Sequence, residues 1–306
     1  MYNELFGLRK DPFSLAPDPS FLFLTDQHRE ALSGLTFAIL QRRGFAALTG
    51  EVGTGKTTLL ARILRFLPPG KLQFSKIVNP TLTPSEFLEL ALLEFGLKHV
   101  PSNKGQRLWA LQNLILEGQQ TGKVTALIVD EAQKLSPEVL DEIRMLANLE
   151  KAEQPFLQIL LVGQPEFETI LNREDMRPLK QRIGVRFTLG PLAPGEVGEY
   201  MRHRWLRAGG AELPFSPEAI EDVACASRRI PRLINSVCDN ALLAAFADNS
   251  KRVLDSHVRQ AASNLDLGEL PRREVAVQCA PEPPAPRTVP QSRSLWNRWV
   301  SRQESA

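Results

Sequence analysis

The stretch Phe45-Ala46-Ala47-Leu48-Thr49-Gly50-Glu51-Val52-Gly53-Thr54-Gly55-Lys56-Thr57-Thr58-Leu59-Leu60 decides the fold. An apolar run, a glycine-rich turn and a helical pattern follow one another in it. Gly50 to Thr57 fits G-x-x-x-x-G-K-[ST] with no misfit. Residues 45–49 read as a buried strand and residues 57–64 as a helix. The glycines let the backbone close into a nest of N–H groups where side chains would block phosphates. The helix start adds unpaired donors and a partial positive charge. The candidate phosphate-binding set is therefore Gly50, Glu51, Val52, Gly53, Thr54, Gly55, Lys56, Thr57 and Thr58. Lys56 would reach the β- and γ-phosphates of a nucleotide, and the Thr57 hydroxyl would sit on Mg²⁺. The bland alternative is a turn that matches by chance; its strand and helix flanks argue against that.

A second motif sits downstream. Residues 124–129 form a continuous apolar run, as in a strand covered on both faces, and Asp130-Glu131 ends it. Such a strand aims Asp130 at the phosphate site, where it can hold the metal through water, and puts Glu131 where it can polarise an attacking water. The alternative is that the two acids only cap the next helix. An Asp-Glu pair fits hydrolysis better than transfer to a small metabolite. Another apolar run, residues 157–162, ends in Gly163-Gln164, so Gln164 lies where an amide can sense the γ-phosphate. Arg182, just before a fifth strand over 185–189, can project toward a neighbouring subunit; Arg177 and Arg186 are its rivals, and a solvated arginine is the alternative. Arg232 opens a late helix and could fold back over the nucleotide, or pair with acids of its own domain. His28 reads either as a residue near the base or as a structural histidine.

Working outward, a helix is expected over 26–41, a second strand over 73–78, and a capping box at Thr83-Pro84-Ser85-Glu86 opening a helix to 95. Further helices are expected over 106–119 and from Ser136-Pro137 through 149. Strands alternating with helices mean an α/β fold with a parallel sheet and helices on both faces. The Phe- and Pro-rich residues up to 25 read as an extended segment laid over a core. After Pro191 the pattern is helical without strands, over 196–207, 217–226, 232–247 and 255–262. From Pro271 prolines are dense and the apolar pattern vanishes, which reads as a disordered tail ending in an aromatic, basic patch at residues 295–300. The expected units are thus 1–190, 191–268 and 269–306.

With 306 residues and a net charge of +2, the chain has room for two folded units, and its total charge gives no indication of nucleic acid. Cys225, Cys238 and Cys279 lack zinc spacing and an even disulfide count, as in a reducing compartment. Residues 1–10 lack an apolar signal region, and the longest apolar run, 156–163, is too short for a bilayer. The expected compartment is the cytoplasm, or its face of the inner membrane.

The chain resembles the AAA+ ATPases, and within them the ExeA-like group named for general secretion pathway protein A. The resemblance covers residues 1–267. It rests on Phe6-Gly7-Leu8, Pro12-Phe13, Pro17-Asp18-Pro19 and His28, on the phosphate loop, and on Val129-Asp130-Glu131-Ala132-Gln133. It continues through Leu161-Val162-Gly163-Gln164-Pro165-Glu166, Leu179-Lys180-Gln181-Arg182-Ile183 and Ile230-Pro231-Arg232-Leu233-Ile234-Asn235. It implies a three-layer AAA+ fold with a small helical lid, binding of ATP and Mg²⁺, and hydrolysis. It also implies that Gln164 is like a sensor 1, Arg182 like an arginine finger and Arg232 like a sensor 2. A homo-oligomer is expected, with a protein partner in a membrane-associated export or assembly complex (secretion, pilus or polysaccharide). A nucleotide-gated DNA-binding or transposition helper is the alternative. One departure stands out: Arg228 and Arg229 occupy places where members often carry glycine.

Overall fold

Apolar runs too continuous for a half-exposed strand need cover on both faces, and the computed structural model, which describes residues 2–16, 18–67, 70–78, 81–146 and 156–270, supplies it. A short helix α1 (Tyr2–Phe6) and a 3₁₀ turn at Pro19–Phe21 precede α2 (Asp26–Leu40), β1 (Phe45–Gly50) and α3 (Lys56–Phe66). Then come β2 (Leu72–Ile77), α4 (Pro84–Glu94), α5 (Lys104–Gln120), β3 (Val124–Val129), α6 (Pro137–Leu146) and β4 (Leu157–Gly163). The sheet unit ends with α7 (Glu166–Leu171), α8 (Arg177–Arg182) and β5 (Ile183–Leu189). The strands are parallel in the order β2-β3-β4-β1-β5. β1, β3 and β4 are buried along their whole length, while the edge strands β2 and β5 are mixed.

Side chains alternate between the two faces of a strand. Ala47, Leu127, Val129, Ile159 and Leu161 join a core with residues of α4 to α8. Ala46, Leu48, Ile128, Leu160 and Val162 join the opposite core with α2 and α3. The expected capping box is present: the Thr83 N–H donates to Glu86 Oε2 at 2.8 Å and the Glu86 N–H to Thr83 Oγ1 at 3.4 Å. The chain then builds α9 (Glu196–Arg207), α10 (Pro217–Ala226), α11 (Pro231–Ala247) and α12 (Asp255–Asn264) around a third core, the lid.

Several expectations are corrected. The segment before residue 25 is not merely extended: it holds α1 and the 3₁₀ turn, and it inserts Tyr2 and Phe13 into the lid's core, not the sheet's. Arg204 of α9 holds it there, donating to the Pro12 carbonyl at 2.6 Å and the Ser14 carbonyl at 3.1 Å. We call residues 2–23 the strap. Helices α7 and α8 add to the expected elements; at six residues each they are too short to show a period. α6 ends at Leu146, and the rest of the helix expected through 149 lies outside the described residues. So do Cys279 and the whole stretch from residue 271, including the tail and its aromatic patch. Among the described residues, no helix is long and apolar enough to cross a membrane.

Candidate functional site

The turn after β1 takes the shape its glycines allow. Gly53 and Gly55 adopt φ of 87° and 101°, which residues with a Cβ rarely reach. A Cβ on Gly53 would collide with the Arg232 side chain, so the lid lies directly on the loop. The Arg232 N–H donates to the Gly53 carbonyl at 3.3 Å. Thr54 is fully buried and its hydroxyl donates to the Glu51 carbonyl at 2.9 Å. Lys56, 7% exposed, donates from Nζ to the Gly50 carbonyl at 2.6 Å and the Glu51 carbonyl at 2.9 Å. Burial lowers its pKa, opposed by the charges of Glu131, Asp130 and Glu51. Val52, Gly53, Gly55, Lys56, Thr57 and Thr58 line one wall of a cleft of about 460 Å³, with Glu131 and Arg232 beside them.

The two acids at the end of β3 part company. Asp130, 4% exposed, accepts from the Glu131 N–H at 3.1 Å, and burial raises its carboxyl pKa. Glu131 turns into the left-handed region, φ 58°, and its Oε2 accepts from Gln133 Nε2 at 2.7 Å and from Gln164 Nε2 at 3.1 Å. Burial raises the Glu131 pKa, but the two amides and the charges of Lys134 and Lys56 outweigh it, so the carboxylate is held below its ordinary range. Gln133 also accepts from the Gln164 N–H at 3.0 Å, so β3 and β4 are locked together at the site.

Arg182 is not brought to this cleft. It ends α8, one residue before Ile183, which opens β5 and pairs in register with Phe45 at the start of β1, while the phosphate loop follows the far end. Six strand residues, about 20 Å, separate the two. Its Nη1 donates to the Arg144 carbonyl at 2.9 Å. Any contact with phosphate would be with that of another chain.

The far wall of the cleft was not foreseen. It comes from the strap and the lid: Ser14, Leu15, Phe23, Tyr200, Arg204 and Asn235. Tyr200 donates to Asn235 Oδ1 at 2.8 Å, and the Arg204 guanidinium lies 4.8 Å from the Phe21 ring centroid. The strap's Phe and Pro residues signalled a packed segment, but no local pattern says against what. His28, left open between two roles, is buried with Nε2 lying 3.0 Å from the Thr54 carbonyl, and it also lines the cleft.

The donor set suits Mg²⁺. The Thr57 hydroxyl and Asp130 carboxylate are hard oxygen donors, and Mg²⁺ commonly takes one or two protein ligands with phosphates and water for the rest. Among the described residues, no cluster of three or more His, Cys, Asp or Glu offers a dedicated cage.

Residues 39–171 match the AAA domain family. The chain carries an AAA domain. Around it, the chain is 41% identical over 266 residues to general secretion pathway protein A of Aeromonas hydrophila, covering 86% of this chain and 48% of that one. It thus spans about half the length of that relative. It is 27% identical over 262 residues to the ATP-dependent target DNA activator B of Escherichia phage Mu, covering 82% of this chain and 75% of the activator. Among solved structures, the Aeropyrum pernix ORC2 protein superposes with a TM-score of 0.63 at 18% identity, over 83% of this chain and 71% of that one, a likeness of fold.

Proposed function

We propose that this chain binds Mg²⁺–ATP in the cleft between phosphate loop and lid and hydrolyses it to drive switching or assembly of a partner complex. The observation that carries the reading is the Glu131 carboxylate, fixed by two amides at the mouth of the cleft that Lys56 shares. A carboxylate held ionised there takes a proton from an attacking water as it adds to the γ-phosphorus. The bond to the β,γ-bridging oxygen breaks, and ADP and phosphate leave. Gln164 orients Glu131, Lys56 meets the charge of the β- and γ-phosphates, and Arg232 brings a lid cation to the phosphate end. Thr57 and Asp130 would hold Mg²⁺, which neutralises phosphate charge when bound.

The position of Arg182 is consistent with a role in a second copy's site, which makes a homo-oligomer the working form. The similarity to a general secretion pathway protein supports a partner in a membrane-associated export or assembly complex, met in the cytoplasm or at the inner membrane. A second reading, a nucleotide-gated DNA helper, draws on the similarity to phage target DNA activators; net charge lends it nothing.

Calorimetry and turnover test the first reading. Lys56→Ala should abolish Mg²⁺–ATP binding, and Glu131→Gln should bind it while turnover falls about 100-fold or more. Brisk hydrolysis by Glu131→Gln would sink the assignment. The rate per subunit should climb with protein concentration and fall in Arg182→Ala. DNA affinity that drops steeply with salt would favour the second reading.

A further inference from the structure

We propose that His28 is a positioning residue: it fixes the phosphate loop from below and ties that loop to the strap carried by the lid. Thr25 caps α2, its Oγ1 accepting the His28 N–H at 3.3 Å and lying 2.7 Å from His28 Nδ1. A hydroxyl has a single hydrogen to give. Spent on Nδ1, it makes that nitrogen the acceptor, so Nε2 carries the ring proton and donates to the Thr54 carbonyl at 3.0 Å. The imidazole fills its space closely, since a Cβ on Gly55 would stand 3.0 Å from Nε2. Thr54 is itself fully buried, so the histidine sets the height of the loop's most deeply enclosed residue.

The chain just before Thr25 belongs to the lid. Arg204 grips it at Pro12 and Ser14, the Arg9 N–H donates to the Ala208 carbonyl at 2.8 Å, and the Tyr2 hydroxyl bonds Asp239 of α11. Two links therefore join lid to loop: Arg232 to Gly53 from above, and strap to Thr25, His28 and Thr54 from below. A lid displacement pulls on residues 53 and 54 together.

The inference rests on the nucleotide reading only for its kinetic arm. Hydrogen exchange on the full chain without nucleotide should show loop amides 53–56 exchanging about tenfold faster in His28→Leu and His28→Asn, the effect of one lost hydrogen bond. His28→Gln, whose terminal amide reaches as far as Nε2, should stay near wild type. In turnover, Leu and Asn should raise KM for Mg²⁺–ATP about tenfold with kcat nearly unchanged, and Gln should restore most of it. Equal losses in all three variants, or unaltered loop exchange in His28→Leu, would overturn the proposal. If His28→Leu does not fold, the contrast of Gln with Asn decides. A wild-type chain without turnover would remove the nucleotide reading and leave the exchange result to judge His28.

Discussion

Glu131 has the backbone of a residue placed for its side chain: φ of 58° costs a residue with a Cβ about 1 kcal/mol or more. That turn swings the carboxylate off the line of β3 and onto Gln133 and Gln164, while Asp130 stays buried in line. Strain and hydrogen bonds oppose each other here. Glu131→Gly should therefore remove turnover yet leave unfolding free energy within about 1 kcal/mol of wild type. A loss of several kcal/mol in urea titration would show the network to be structural instead. The histidines make a pH prediction at the same scale. Burial holds His28 and His203 below the ordinary 6.5, the second also through Arg207 and Arg204. The unfolded chain then binds more protons than the folded one as pH drops below 6.5. Stability present above that value is lost as pH falls through the folded pKa values. Urea midpoints from pH 7.5 to 5 should decline, and more gently in His28→Gln.

Turns and short elements carry what a periodic pattern does not. Between α10 and α11, Arg228 and Arg229 both stand left-handed, φ 50° and 62°, a conformation that glycine adopts without strain. The Leu192 N–H donates to the Arg229 carbonyl at 2.9 Å, so this turn is where the lid's last helices meet the end of the sheet unit. Arg229→Gly should raise stability by up to about 1 kcal/mol, read as a higher melting temperature; a lower one would show that the side chain is bound elsewhere. The difference between legible and illegible elements is physical. β3 and β4 were plain because full burial demands an unbroken apolar run, and α4 because its cap is local chemistry. Lys56, Asp130 and Glu131 were readable because short motifs place them. α1, α7 and α8 are too short to show a period. Tyr200 and Asn235 reach the cleft by contacts through space, across 35 residues of sequence, which no window along the chain reports.

At the scale of the whole molecule there are two bodies: the sheet with a core on each face, and the lid with its own core and the strap. Phe13, wholly buried, belongs to the second body although it lies near the start of the chain. Phe13→Ala should cost about 3–5 kcal/mol of that body's stability. Calorimetry should show the lid's melting transition moving down while the sheet's stays; one transition shifting as a unit would mean the bodies unfold together. The bond from Tyr2 to Asp239 spans 237 positions of sequence. During synthesis the strap can complete this packing only after α11 has been made. The sheet unit can mature in that interval, and the cleft gains its far wall once the strap and the lid's helices have met.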